Sequence, residues 1–171
     1  MLRRVLYVIA ALVVLIALVA VVGMMLPRDH EAWRSAAFRA APDKVFGVVS
    51  DFAKYPEWRT EVTRVDVTKT DGVPLVTEHG PNGIIPYRVE VMQPPSKMVM
   101  RIADPNLDFG GTWTFDITPN DSGSDLTITE NGEIYNPIFR VMSKLFFSPT
   151  ATIETYLNDL RKRLGENDSA R

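Results

Sequence analysis

Residues 112–134 read TWTFDITPNDSGSDLTITENGEI. Apolar residues alternate with polar ones on both sides of a turn at 120–124. Alternation with a period of two is typical of a strand with one buried face, so the stretch predicts an antiparallel pair of strands. The residues in the apolar phase are Trp113, Phe115, Ile117, Leu126, Ile128 and Ile134. Glu130 shares that phase and is therefore predicted to point inward.

The same alternation continues towards the N-terminus, with a turn signal every 8–12 residues. Four further strands are predicted at 62–69, 75–78, 85–91 and 98–102, with turns at Asp71-Gly72, at 80–83 and at Pro94-Pro95. A weaker strand is predicted at 33–40, followed by a helical pair from Pro42 to Trp58. The chain order is therefore strand, helical pair and six strands.

Two helices are predicted to close the chain, at 137–147 and 149–164, with Gly165 as a stop. In the second helix one face is apolar, as expected of a helix that packs on a core. Its residues are Ile153, Tyr156, Leu157, Leu160 and Leu164. The predicted fold is thus α+β: a curved antiparallel sheet of about seven strands wrapped around a long C-terminal helix. Such a sheet leaves space between itself and the helix, which predicts a cavity.

The N-terminal segment Val5–Leu26 contains no charged residue over 22 positions. A helix of this length spans the roughly 30 Å hydrocarbon core of a bilayer. We therefore predict one transmembrane anchor. A cleaved signal sequence is the main alternative, although the run exceeds the usual apolar length and lacks a clear cleavage site. A buried core helix is the other.

Basic residues flanking this run predict its orientation. Arg3 and Arg4 precede it, whereas Arg28 on the other side is offset by Asp29 and Glu31. The N-terminus is therefore predicted to be cytoplasmic and the domain extracytoplasmic, which means periplasmic in a bacterium. The predicted organisation is a stub at 1–4, an anchor at 5–26, a linker at 27–32, one domain at 33–165 and a disordered tail at 166–171.

Charge and composition exclude several classes of function. Three of the 19 basic residues and none of the 21 acidic ones lie in 1–28, so residues 29–171 carry a net charge of −5. Nucleic-acid binding requires a concentrated positive surface, so no nucleic-acid partner is expected. The chain has no cysteine, which excludes disulfides and thiol catalysis. No metal site or cofactor is predicted, because the two histidines lie far apart and His79 in its loop is expected to be exposed.

Two stretches carry a resemblance to a known family. APDKVFGVVSDFAKYPEWR (41–59) resembles the first helical segment of START-like, or SRPBCC, domains, and LTITENGEIYNPIFRVMSKLFF (126–147) is similar to the last strand and closing helix of their polyketide-cyclase/dehydrase and lipid-transport branch. The resemblance implies a helix-grip fold with a deep hydrophobic cavity. Members bind lipids, sterols, polyketides or other apolar ligands, and some are cyclases or aromatases.

Glu130 is the most informative candidate, because burial would raise the pKa of an inward carboxyl and suit it to acid–base work. The alternatives are a structural acceptor for Arg, Tyr or the amides at 136–139, or a ligand contact. Tyr87 is the second candidate if the protein is an enzyme. The predicted ligand contacts are Trp58, Tyr87, Val89, Met100, Trp113, Phe115, Ile128, Glu130, Met142 and Ile153.

The apolar segment 138–147 fits both core packing and an interfacial helix that touches lipid headgroups. The leading hypothesis is a membrane-anchored, noncatalytic domain that binds a hydrophobic molecule, such as a lipid. A cyclase- or dehydratase-like enzyme using Glu130 is the second hypothesis, and an interaction module with a filled cavity is the third. The sequence predicts no oligomeric state.

Overall fold

The computed structural model describes residues 1–70, 72–81, 83–146 and 148–166. Its helices are α1 (Leu2–Met25), α2 (Pro42–Ser50), α3 (Tyr55–Trp58), α4 (Pro137–Phe146) and α5 (Ala151–Arg163), with a 3-10 turn at Phe52–Lys54. Its strands are β1 (Asp29–Phe38), β2 (Arg64–Thr70), β3 (Val73–Gly80), β4 (Gly83–Gln93), β5 (Lys97–Ile102), β6 (Phe109–Asn120) and β7 (Gly123–Ile134). Asp71 and Asn82 of two predicted turns, Phe147 of a predicted helix and the predicted tail residues 167–171 lie outside the described residues.

One antiparallel sheet contains all seven strands, in the order β1-β7-β6-β5-β4-β3-β2. The stretch 112–134 forms β6 and β7, and their register pairs Phe115 with Ile128 and Ile117 with Leu126. These four side chains are at most 2% exposed. The predicted phase and pairing of these two strands are therefore confirmed. The first strand of the chain, β1, lies at the sheet edge beside the last strand, β7.

β1 begins earlier than predicted. Asp29 pairs with Glu133 and Ala32 pairs with Glu130, so 29–32 of the predicted linker belong to the sheet. The expected start at 33 was wrong because the first three residues of β1 are polar and hide the alternation. Ala32, which follows them, is buried. The strand gains its hydrogen bonds from β7, which extends to the same end.

The core lies between the concave face of the sheet and α5. Ile153, Tyr156, Leu157 and Leu160 on α5 are at most 5% exposed, as their helical spacing predicts. They pack with α2 residues and with inward-facing strand residues in one cluster. α5 begins at Ala151 rather than at 149, since Thr150 is its N-cap residue.

The end of α5 is fixed by a residue predicted to be disordered. Glu166 is 9% exposed, and its carboxylate accepts hydrogen bonds from the backbone amides of Arg39 and Ala40, both at 2.9 Å. The expected disorder was wrong at this position, because the carboxylate satisfies two amides that follow β1. Charged carboxylates bound in this way stabilise a chain end.

α1 starts at Leu2 and is long and apolar enough to cross a membrane, with a mean hydropathy of 3.3 in an 18-residue window that is not buried at all. Its C-terminal end packs against α4, and Gly23 is buried there. Only three residues, 26–28, separate α1 from β1.

Candidate functional site

A small cavity lies where the aromatic face of the sheet meets α5. Its volume is about 40 Å³. The residues that line it are Tyr55, Arg59, Glu78, Tyr87, Met100, Trp113, Phe115, Thr152 and Tyr156. Pockets that hold organic ligands usually measure roughly 300–1,000 Å³, whereas this volume holds a few water molecules.

The deep cavity that the resemblance implied is therefore not open in this structure. Large side chains fill the space between sheet and helix: Tyr156 lies 5.5 Å from the Phe115 ring and 6.2 Å from the Trp113 ring, measured between centroids. Tyr156 also contacts Trp58 edge to face at 5.3 Å. The aromatic cluster thus occupies the volume in which the sequence predicted a ligand.

The polar end of the cavity is an ion pair between Arg59, directly after α3, and Glu78 on β3. Both side chains are nearly buried, with 10% and 12% of their surface exposed. The Arg59 guanidinium also lies over the rings of Tyr55 and Tyr156, at 4.8 and 4.9 Å from their centroids. Such stacking favours a delocalised guanidinium cation in an apolar setting.

Burial changes the pKa values of the acidic side chains in the cavity. It raises the pKa of the Glu78 carboxyl above its ordinary value, and the charge and hydrogen bond of Arg59 offset part of that effect. Burial likewise raises the pKa of Tyr87 and of Tyr156. The phenols are therefore protonated at neutral pH, and the site presents phenol hydroxyls and the Arg59–Glu78 ion pair rather than a phenolate base.

Tyr55 anchors the helical side of the cavity. Its hydroxyl donates a 2.6 Å hydrogen bond to the Val49 carbonyl, and it lies 3.5 Å from the Tyr156 hydroxyl. Trp58 is 8% exposed, and its indole nitrogen is a buried donor with no hydrogen-bond partner in the described part of the chain.

Nine of the ten predicted ligand contacts fall into three groups. Tyr87, Met100, Trp113 and Phe115 line the cavity. Trp58, Val89, Ile128 and Ile153 are buried in the surrounding core. Met142 lies elsewhere, on α4, where it is 42% exposed.

Glu130 is not among the residues that line the cavity. It pairs across the ladder with Trp113 and lies 4.0 Å from His30 Nε2, with 24% of its side chain exposed. Burial raises its pKa, while His30 and a hydrogen bond from Trp113 act in the opposite direction. The amides of Ile138 and Phe139 at the start of α4 donate to the Asn136 side chain, which was one of the places considered for Glu130.

Two other surface features are polar. An open depression of about 330 Å³ lies where β1 begins and β7 ends, lined by Asp29, His30, Glu31, Asn131, Gly132 and Glu133. His79 contacts Asp66 at 2.8 Å at the other side of the sheet. Neither is an apolar ligand pocket, and the described residues contain no group of three side chains arranged to hold a metal ion.

Sequence reasoning missed Arg59, Glu78, Tyr55, Thr152 and Tyr156 as cavity residues. One signal was available for Glu78, because it shares a strand phase with Val76, which is fully buried. A charged residue in a buried phase requires a partner, and the partner is 19 positions away.

A seven-stranded antiparallel sheet curved around a C-terminal helix, with an aromatic cavity between them, defines the START-like or helix-grip class. The chain belongs to the polyketide cyclase / dehydrase and lipid transport family, whose sequence profile matches residues 30–165. The predicted recognition and fold are confirmed. No curated protein shows significant sequence similarity to the chain.

Solved structures show the same fold at low sequence identity. The di-domain aromatase/cyclase StfQ from the steffimycin biosynthetic pathway is 18% identical, with a TM-score of 0.64 over 80% of this chain, which spans only 52% of that protein. The Zhui aromatase/cyclase from Streptomyces sp. R1128 is 11% identical, with a TM-score of 0.63 and coverage of 80% and 94%. A START superfamily protein from Mycobacterium smegmatis is 17% identical, with a TM-score of 0.59 and coverage of 80% and 98%. The family and fold support a hydrophobic-ligand-binding domain or a cyclase.

Proposed function

We propose that the protein is a membrane-anchored domain that binds a lipid between the sheet and α5, with the lipid's polar group near Arg59. The observation that carries this proposal is the nearly buried Arg59–Glu78 ion pair on a cavity wall that is mainly aromatic and apolar. Ligand pockets in proteins are mainly apolar and contain a few polar groups that orient the ligand. Arg59 and the protonated tyrosines supply donors for a carboxylate, phosphate or ester oxygen.

Lipid binding requires the cavity to expand. Met100, on the cavity wall, is unbranched and adopts alternative rotamers at low cost. Each buried methylene of a ligand contributes about 0.8 kcal/mol, which offsets the cost of moving wall side chains and opening the aromatic cluster. The unpartnered Trp58 indole N–H, beside that cluster, would gain an acceptor from a polar ligand group.

The membrane anchor in this proposal is α1, with the N-terminus cytoplasmic and the domain extracytoplasmic. Length and hydropathy support a spanning helix, and the excess of basic residues before it supports the orientation. The close fit between Gly23 and Pro137 on α4 supports retention of α1, because a cleaved signal has no reason to match the domain.

The proposal is tested by mass spectrometry of lipids that co-purify with the full chain in detergent and by lipid titration monitored through tryptophan fluorescence. A bulky residue on the cavity wall, Thr152→Trp, is expected to abolish specific lipid retention. Thr155→Trp makes the same change on α5 at a position that does not line the cavity, and retention is expected to persist. Equal lipid content in both variants would overturn the proposal.

The cavity volume favours one second candidate, an interaction module whose interior is filled by its own side chains. That function predicts no stoichiometric lipid in the purified wild-type protein and no effect of Thr152→Trp on partner binding. The cyclase-like hypothesis with Glu130 and Tyr87 has less support, because only Tyr87 of the two lines the cavity. Glu130→Gln would reduce turnover if that hypothesis were correct.

A further inference from the structure

The junction between α1 and α4 is a close contact rather than a flexible tether. Gly23 is buried in α1, and a Cβ atom at this position would lie 1.9 Å from the Pro137 carbonyl oxygen. Such a distance is incompatible with any side chain unless one helix moves. Glycine at 23 therefore permits the backbones of the two helices to touch.

The Arg140 side chain on α4 links the two helices through hydrogen bonds. Its guanidinium donates to the Gly23 and Leu26 carbonyls at 3.0 and 3.2 Å, and to the Ile134 and Tyr135 carbonyls at 2.8 and 2.9 Å. Only 8% of Arg140 is exposed. The last carbonyls of α1 carry the negative end of the helix dipole, and a cation there both neutralises it and satisfies the acceptors.

The opposite face of α4 is apolar and uncovered. Its residues recur at the spacing i, i+4, i+7 and i+8, which places them on one side of a helix. They are Ile138, Met142, Leu145 and Phe146, with 39%, 42%, 68% and 70% exposure. Lys144 lies one turn after Arg140, away from this apolar face, and is also exposed.

The position of the contact on α1 indicates what covers this face. Gly23 is two residues, or about 3 Å along the axis, from the end of α1 at Met25. If α1 spans the bilayer, the start of α4 lies at the boundary between hydrocarbon and headgroups. Amphipathic helices bind at that depth with their apolar face buried about 5–10 Å.

We propose that α4 is an interfacial membrane helix, whose face Ile138–Met142–Leu145–Phe146 lies among the lipids of the leaflet from which α1 emerges. The Arg140 and Gly23 contacts hold α4 at that depth, and Lys144 contacts the headgroups. This inference rests on the membrane anchoring in the proposed function. It adds that the domain sits on the bilayer in one orientation, with α4 facing the lipid, instead of swinging on a linker.

The chain has no cysteine, so single introduced cysteines can carry an environment-sensitive fluorophore at chosen sites. The full chain is reconstituted in phosphatidylcholine vesicles with a minority of phosphatidylglycerol, with and without spin-labelled lipid. Labels are placed at Leu145→Cys on the apolar face, at Val13→Cys in α1, and at Asp121→Cys in the exposed turn at the far end of β7. The far end lies roughly 35 Å away along the strand.

The expected result is blue-shifted emission and quenching by spin-labelled lipid at positions 145 and 13, and neither at 121. Quenching at 13 with none at 145 would overturn the interfacial helix and leave the anchor intact. An absence of quenching at 13 would overturn the anchor and the inference together. Self-pairing of labels at 145 without lipid quenching would assign the face to a second copy and overturn the inference.

Two single substitutions at the α1–α4 contact test whether that contact holds α4 in the membrane interface. Gly23→Leu and Arg140→Gln are each expected to reduce lipid quenching at 145 while quenching at 13 persists. Val22→Leu adds bulk at the neighbouring position, which is 50% exposed, and should leave both signals unchanged. If quenching at 145 is unchanged in both Gly23→Leu and Arg140→Gln, and circular dichroism shows that the domain is folded, the proposed role of the α1–α4 contact is refuted.

Discussion

Removal of the Arg59 guanidinium should destabilise the domain strongly. Arg59→Met keeps most of the side-chain length but leaves the Glu78 carboxylate, with only 12% of its side chain exposed, without its partner. Breaking a buried ion pair on one side costs about 3–5 kcal/mol. Since 1 kcal/mol shifts the melting temperature of a domain this size by about 2–4 °C, the expected fall in Tm is roughly 6–20 °C.

The same variant should change the pH dependence of stability. The pKa of Glu78 is already raised above 4.5 by burial, and Arg59 limits the rise. A carboxyl with a higher pKa in the folded state binds more protons there, so the free energy of unfolding falls as pH increases through that pKa. In Arg59→Met this loss should be larger and continue to higher pH than in the wild type.

The assay is urea unfolding of the full chain in detergent micelles, monitored by tryptophan fluorescence at acidic and at neutral pH. Arg59→Met/Glu78→Leu is the matched control, because removing both charges should recover part of the stability lost in the single variant. A single variant that loses less than about 1 kcal/mol, with the wild-type pH dependence, would refute the reasoning about an uncompensated buried carboxylate.

Three further predictions concern stability in the same assay. Tyr55→Phe should cost about 1–3 kcal/mol because it leaves a buried carbonyl without its donor, whereas Tyr156→Phe should cost less, since its hydroxyl contact is 3.5 Å long. Equal costs would contradict this difference. Phe115→Ala should cost about 3–5 kcal/mol with an unchanged m value, and a cost below 1 kcal/mol would mean that the site collapses. Burial opposes ionisation of Asp159, but hydrogen bonds from Thr60 and Lys162 keep its pKa below 3.8, so the stability it contributes is lost as pH falls through its folded-state pKa. Asp159→Asn should therefore lose less stability between neutral pH and pH ~3, and an unchanged acid slope would argue against this role.

The sheet could be predicted from the sequence because a period of two is a local signal that burial on one face enforces. Phe115, Ile117, Leu126 and Ile128 have the expected phase and are buried. The start of β1 could not be predicted in the same way, since its first residues are polar and are held by hydrogen bonds to β7 rather than by packing.

The site was less predictable because its polar pair is nonlocal. Arg59 follows the short helix α3, and Glu78 lies in β3, the strand next to the sheet edge. Nothing in either local sequence indicates that the two side chains form an ion pair. The phase of Glu130 was correct, yet its position along the strand places it beside His30 and not at the cavity. Cavity volume likewise depends on how Tyr156 packs on the sheet, which no residue pattern encodes.

The short connection between anchor and domain constrains the proposed lipid binding. Residues 26–28 can extend by at most about 10 Å, so β1 starts close to the end of α1. The end of β6 nearest to α1 is Phe109, and Trp113 on the cavity wall is four residues further, roughly 13 Å along the strand. If α1 is the proposed anchor, a domain held in this way would exchange ligand with the adjacent leaflet across a fixed short distance. The proposed function is therefore local capture or presentation of a lipid, since transport between membranes would require the protein to leave the bilayer, which a membrane-spanning α1 would prevent.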